Sequence, residues 1–244
     1  MGRWPDTREA LEAVQRSLAD ERADPWRVPS GAYSLGATFV AFSTRLDPSP
    51  ERAWAAAVCG HDRVVARAEV HAPYEPGFLA LREGPLLEEV VRGLPRAPDV
   101  LLVNASGRDH PRGAGLALHL GAVLDVPTIG VTDRPLVAEV IDGRLVLAGE
   151  EVGSEVRTRA GARPVFAHAA WRTDTETARA VVLSSATSAR TPEPLRRARF
   201  LARSSRARDE GRLPPGWRMD ALAEPRFPRA KGSGGGLSPG AAGA

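Results

Sequence analysis

Residues 99–132, DVLLVNASGRDHPRGAGLALHLGAVLDVPTIGVT, restrict the possible folds more than any other part of the chain. Residues 99–104 are nearly all apolar over the length of a strand, the pattern of one covered on both faces. A polar, glycine-broken loop follows. Residues 113–124 then form an apolar Gly/Ala-rich helix, and residues 127–132 a second strand. Strand, helix and strand make one βαβ unit, which requires parallel strands inside a sheet. In such units chemistry collects where the first strand ends. The loop from Asn104 to Arg112 is therefore the first candidate site, together with the preceding block HAPYEPGFLALRE, residues 71–83.

The remaining segments fit around this unit. Ala10, Leu11, Val14, Leu18 and Ala19 recur at helical spacing, with Asp6 or Thr7 as N-cap, and predict an amphipathic helix over residues 6–23. Three short β-branched and small-residue segments, 37–44, 54–60 and 62–70, predict antiparallel strands, the last two joined at Gly60, His61 and Asp62. A helix is predicted to start near Phe78, with Glu83 early in it. A hairpin is predicted over 137–147, turning at Asp142 and Gly143. Further strands are predicted at 155–159 and 164–168, a helix opened by Thr173 with Glu176 as a capping box, and a last helix over 193–206. The resulting order, βββαβαβ and then later helices, is an α/β mixed sheet with helices on both faces.

A length of 244 residues supports one substantial core. The organisation expected is a domain over residues 1–208 and a tail over 209–244, basic and then Gly/Pro-rich, that buries too little apolar surface to order itself. Charge is uneven. Residues 190–231 hold 12 basic and 5 acidic side chains, whereas residues 1–189 hold 21 and 25, and the only lysine is Lys231. An Arg-rich end is compatible with phosphate binding, or with a solvated helix face through Arg196, Arg197, Arg199, Arg203, Arg206 and Arg208. A single cysteine, Cys59, excludes an internal disulfide. No apolar run is long enough to cross a membrane and the N-terminus lacks the order of a signal peptide, so a cytoplasmic protein without membrane association, and a monomer, is expected.

Several stretches in order resemble the endonuclease V family: GATFVAFSTR, PYEPGFLALRE, PDVLLVNASGRDHPRGAGLALHLG, PTIGVTD and AAWRTDTETA. The family counterparts are a GGVDLSF-like strand, PYxPGFLxFRE, PDLxxVDGxGxxHPRxxGLAxHLG, PTIGVAK and xPGHRxSxETA, and the likeness spans roughly residues 4–208. The resemblance implies an RNase H-like fold. It also implies Mg-dependent hydrolysis of a phosphodiester 3′ to deoxyinosine in DNA, as in DNA repair, or to inosine in RNA. Clustered carboxylates hold the ions in such chemistry.

On that pattern Glu83 matches the family's helix carboxylate, a catalytic and metal-binding position, and His110 a second catalytic one. The metal-binding Asp after the buried strand is Asn104 here, and the strand-one Asp is Phe39, or Thr38 after a slip of one residue. The family's Lys is Asp133 and its His is Trp171. Phe39 and Trp171 are expected to plug the vacated pocket, with His168 a candidate stand-in for the missing His. Tyr74 matches the aromatic wedge that stacks beside a turned-out base. Tyr74, Pro76, Gly77, Asn104, Gly107, Arg112 and Gly113 are the expected substrate-binding positions. The expectation is a nucleic-acid-binding pseudoenzyme, its partner DNA or RNA, inosine-containing strands included, with cleavage lost or strongly reduced. Two alternatives are an active nuclease with a metal site relocated to Glu83, Asp109 and Asp133, and a non-enzymatic interaction protein reusing the fold.

Overall fold

The computed structural model describes residues 4–44 and 50–213. The Gly/Pro-rich end expected as a tail lies, from residue 214, outside the described residues. A nine-stranded sheet runs through the molecule in the order β3-β2-β1-β4-β5-β9-β8-β7-β6. Its first half is an antiparallel meander, β1 (Leu35–Phe42), β2 (Glu51–Cys59) and β3 (Asp62–Val70). Against β1 lies β4 (Val100–Val103) in parallel, and against β4 lies β5 (Thr128–Thr132), also parallel. The predicted βαβ unit is therefore present, with α3 (Leu116–Leu124) as its crossover. From β5 the sheet continues antiparallel through β9 (Val165–Ala169), β8 (Glu150–Val156), β7 (Arg144–Leu147) and β6 (Glu139–Ile141).

Helices cover both faces. On one, α1 (Arg8–Asp20), α2 (Leu79–Arg92) and α3 pack over Ala53, Ala55, Ala57, Leu101 and Val103. On the other, α4 (Thr175–Ser185) and α5 (Glu193–Asp209) pack over Ala37, Ala41, Ala56, Val58 and Leu102. The alternation of β2 between these two sets follows from the period of two in a strand. Its alanines keep both surfaces low, so helices from both sides approach the sheet closely.

Several boundaries differ from those expected. Gly113 has φ +70°, and a Cβ on Gly115 would lie 2.4 Å from the Ser106 carbonyl oxygen, so these residues belong to a folded-back loop and α3 begins only at Leu116. Thr173 is not the cap of α4. Its hydroxyl donates to the Thr128 carbonyl at 2.6 Å, while the Asp174 carboxylate accepts from the Thr177 amide at 2.8 Å. β8 starts five residues before the predicted 155, because Ala148 (φ 51°) and Gly149 (φ 83°) form a tight turn after β7. The packed chain also runs past residue 208: Asp209 accepts from the Trp54 indole at 2.8 Å, and Glu210 accepts from the Thr44 amide at 3.2 Å.

Candidate nucleic-acid cleft

A cleft of about 320 Å³ opens at the C-terminal ends of β4 and β5. One wall is the Tyr74–Ala80 region, the other is the Thr132–Leu136 segment after β5, and Asn104, Ala105 and Ser106 lie between them. This is the strand-end position marked out by residues 99–132.

The first wall is held by one carbonyl. Gly77 has φ +84°, a conformation natural to glycine, and its oxygen accepts from three groups: Gln15 Nε2 at 3.2 Å, His110 Nε2 at 3.2 Å and an Arg112 guanidinium nitrogen at 2.7 Å. Arg112 also donates to Gln15 Oε1 at 2.6 Å and lies 4.4 Å over the Phe78 ring. Its guanidinium fastens α1 to the PYEPG loop, and it is not among the residues lining the cleft. His110 lines the cleft but is buried; Nδ1 accepts from the Arg112 amide, which leaves the proton on Nε2 for Gly77. Burial, with Arg112 beside it, holds its pKa down to about 4, so near neutrality it is an uncharged structural bridge.

The second wall is held by Asp109, which is completely buried. Its carboxylate accepts from the amides of Leu136 (2.7 Å), Val137 (2.9 Å) and Ala138 (2.8 Å), and His168 Nδ1 lies 3.5 Å away. These oxygens are committed to backbone amides, so Asp109 is a structural anchor and not a relocated metal ligand. His168 is itself fully buried, with Nε2 2.7 Å from the Thr132 hydroxyl, and does not line the cleft. Burial lowers its pKa to about 4. It stabilises the wall and is not a replacement for the family's His.

Glu83 lies one turn along α2 from the cleft-lining Ala80, on the stripe that continues to the buried Leu87. The neighbouring arginines are otherwise engaged: Arg82 with Glu51 at 2.5 Å and Arg92 with Glu88 at 2.7 Å. Glu83 has no hydrogen bond or ion pair among the described residues, and burial pushes its pKa up to about 7, which Arg82 only partly opposes.

The faces of β1 resolve the strand-one register. Phe39 packs with the α4 and α5 core, 5.7 Å from the Arg203 guanidinium, on the side of the sheet away from Glu83. Val40 and Phe42 pack towards α2, and Thr38 shares their face, its hydroxyl donating to the Ala56 carbonyl at 3.0 Å. Thr38 therefore occupies the position facing the Glu83 helix. Phe39 is not a plug of the cleft. Neither is Trp171, which packs against Gly121 of α3.

Asn104 is exposed in the cleft, and Tyr74 stands at its edge with 67% of its surface exposed. Pro76 and Gly77 also line the cleft. Gly107 and Gly113 have other work. A Cβ on Gly107 would lie 2.1 Å from the Ala169 carbonyl oxygen, and one on Gly113 would lie 2.8 Å from the Ala19 Cβ. Both let the loop press against neighbouring elements.

Asp133 lines the cleft in an ion pair with Arg190 at 2.5 Å, and the adjacent Arg134 lines it as well. Gln15 and Arg134 are absent from the sequence-derived site. Gln15 could have been found, since it lies between Leu11 and Leu18 on an otherwise apolar stripe of α1. The Arg-rich α5 is on the opposite face of the sheet, and its arginines reach the protein itself: Arg197 donates to the Gly60 carbonyl at 2.6 Å and Arg206 to the Phe42 carbonyl at 2.8 Å.

A sheet ordered β3-β2-β1-β4-β5, antiparallel in its first three strands and parallel in the next two, with a site at the ends of β4 and β5, defines an RNase H-like nuclease fold. Within that class, the endonuclease V family model matches residues 54–200, and the chain belongs to the endonuclease V family. The endonuclease V of Methanopyrus kandleri is 46% identical over 158 residues, covering 62% of this chain and 68% of that protein. The crystal structure of endonuclease V from Streptomyces avermitilis superposes with a TM-score of 0.73 at 33% identity, covering 85% of this chain and 96% of that one. The Ciona intestinalis enzyme, at 19% identity, shares the fold with a TM-score of 0.69, covering 82% and 98%.

The residues at the family's metal positions do not fit a hard divalent ion. Thr38 has its hydroxyl hydrogen donated to a strand carbonyl, Asn104 offers a neutral oxygen, and Glu83 is the one carboxyl of the set. Among the described residues no three His, Cys, Asp or Glu side chains converge as a metal-binding group. Mg surrenders hydration poorly without anionic oxygen ligands. None of the described helices is long and apolar enough to cross a membrane.

Proposed function

We propose that this chain is an endonuclease V family protein that binds nucleic acid in the β4/β5 cleft and has lost, or strongly reduced, metal-assisted phosphodiester cleavage. The observation that carries this is the donor set: Thr38, Asn104 and Glu83 stand where the chemistry needs clustered carboxylates. Loss of one group that stabilises a transition state costs about 10² to 10³ in rate. Here two carboxylates, the Lys and the His of the family pattern are all replaced. A metal site relocated to Asp109 or Asp133 is disfavoured, because Asp109 is saturated by backbone amides and Asp133 is paired with Arg190.

The grip on substrate has more support. Tyr74 is exposed at the cleft edge, suited to stacking on an unpaired base, and the loops around it are firmly braced. The Ciona intestinalis protein was crystallised with a 24mer DNA containing an inosine, which supports an inosine-containing strand as the ligand here. Incubation with a deoxyinosine-containing oligonucleotide in Mg or Mn tests the reading. The expected result is no specific product. Cleavage that disappears in a Glu83→Ala variant would overturn it, and no DNA or RNA affinity at any salt concentration would favour a scaffold role instead.

A further inference from the structure

Arg134 lies at the start of the second cleft wall, exposed, and its guanidinium makes no hydrogen bond or ion pair among the described residues. Its surroundings are fixed. The Thr132 hydroxyl donates to the Arg134 carbonyl at 2.7 Å, and Asp109 holds the amides of residues 136–138. The neighbouring Asp133 is ion-paired with Arg190, which also donates to the Pro164 carbonyl at 3.2 Å. Across the same cleft Asn104 presents a side-chain amide that has no partner among the described residues.

We propose that the cleft holds a phosphodiester directly, without a bridging divalent ion, through the Arg134 guanidinium and the Asn104 carboxamide, with Tyr74 stacked on the adjoining base. This rests on the reading that nucleic-acid binding persists while metal-assisted cleavage does not. The physical basis is charge. A cleft lined with several carboxylates repels a phosphodiester until cations intervene, whereas here Asn104 is neutral and the one carboxylate among the lining residues, Asp133, is paired with Arg190. Arg134 adds a permanent positive charge with a planar fork of donors suited to two phosphate oxygens. Asn104, as an amide, gives an N–H where a carboxylate could only accept.

The test is fluorescence anisotropy of the full chain with a labelled single-stranded oligonucleotide containing one deoxyinosine, across a salt series, in EDTA and in Mg. Binding is expected in EDTA and is not strengthened by Mg. Arg134→Ala weakens it about tenfold and lowers the salt slope by about one counterion, while Arg134→Lys keeps the slope. Asn104→Asp weakens binding in EDTA and makes it responsive to Mg. Circular dichroism of each variant separates these effects from misfolding. Wild-type binding that requires Mg, or an Arg134→Ala variant with unchanged affinity and slope, overturns the proposal. Cleavage of the same oligonucleotide in Mg would overturn the loss of catalysis alone, with the EDTA measurements still deciding how the phosphate is held. No binding in either buffer overturns both.

Discussion

Glu83 is a carboxyl whose folded environment works against its charge, and this makes the stability of the protein depend on pH in a specific way. Burial raises its pKa from 4.5 to about 7. Between these values the folded protein keeps a proton that the unfolded chain has released. Native protein thus binds more protons, and stability falls as pH rises through this window, then levels off above pH 7. At about 1.4 kcal/mol per pKa unit the loss amounts to about 3 kcal/mol. A Glu83→Gln variant resembles the protonated acid and cannot ionise. It should match the wild type at the acid end and exceed it by about 3 kcal/mol above neutrality. Urea denaturation of both proteins from about pH 4.5 to about pH 8 reads the difference directly. Parallel curves, or a variant less stable than wild type in the alkaline arm, would refute the reasoning by revealing a partner that stabilises the carboxylate. Millimolar Mg gives a second reading: an ion held by Glu83 would stabilise only the wild type above neutrality, and no such shift is expected.

Asp109→Ala should cost about 3–5 kcal/mol, since three backbone amides lose a charged acceptor in the interior; a thermal melt lowered by about 10 °C is expected, and an unchanged melt would show that the second wall is held otherwise. Gly107→Ala places a methyl 2.1 Å from the Ala169 carbonyl oxygen. Either the soluble yield collapses or denaturation shows a loss of about 3 kcal/mol or more; wild-type stability would contradict the close approach. Tyr74→Ala should leave stability within about 0.5 kcal/mol yet weaken oligonucleotide binding by about 1–3 kcal/mol, as titration would show.

The strongly patterned elements were legible before any coordinates. The apolar run of β4 and the Asp142–Gly143 hairpin turn follow local rules that the environment does not override, whereas α3 was legible as a helix but not in its start, since Gly113 to Gly115 fold back against Ser106. The β7–β8 turn was not legible, because Ala148 adopts a left-handed conformation that its residue type does not advertise. The cap of α4 is not legible in the sequence for a related reason. Thr173 and Asp174 are both good caps, and only the Thr128 carbonyl, 45 residues away in sequence, determines which one is engaged elsewhere.

Sequence by itself determined the class of fold and the location of the cleft at the end of the first strand of the βαβ unit, because these depend on residue identity and periodicity. Only the tertiary structure decided what the retained polar residues do. Asp109, His110, Arg112 and His168 have the chemistry of an active site, yet buried donors and acceptors seek partners within the fold: Asp109, His110 and Arg112 are bonded to the protein, and His168 is held through Nε2 to the Thr132 hydroxyl, with Nδ1 left 3.5 Å from Asp109. The choice between Phe39 and Thr38 needed the faces of the sheet, since a shift of one residue moves a side chain through it. Arg134 depends wholly on tertiary context. Nothing in its local sequence separates it from a solvated surface cation; the distinction comes from a cleft whose walls are fastened by residues distant in the chain.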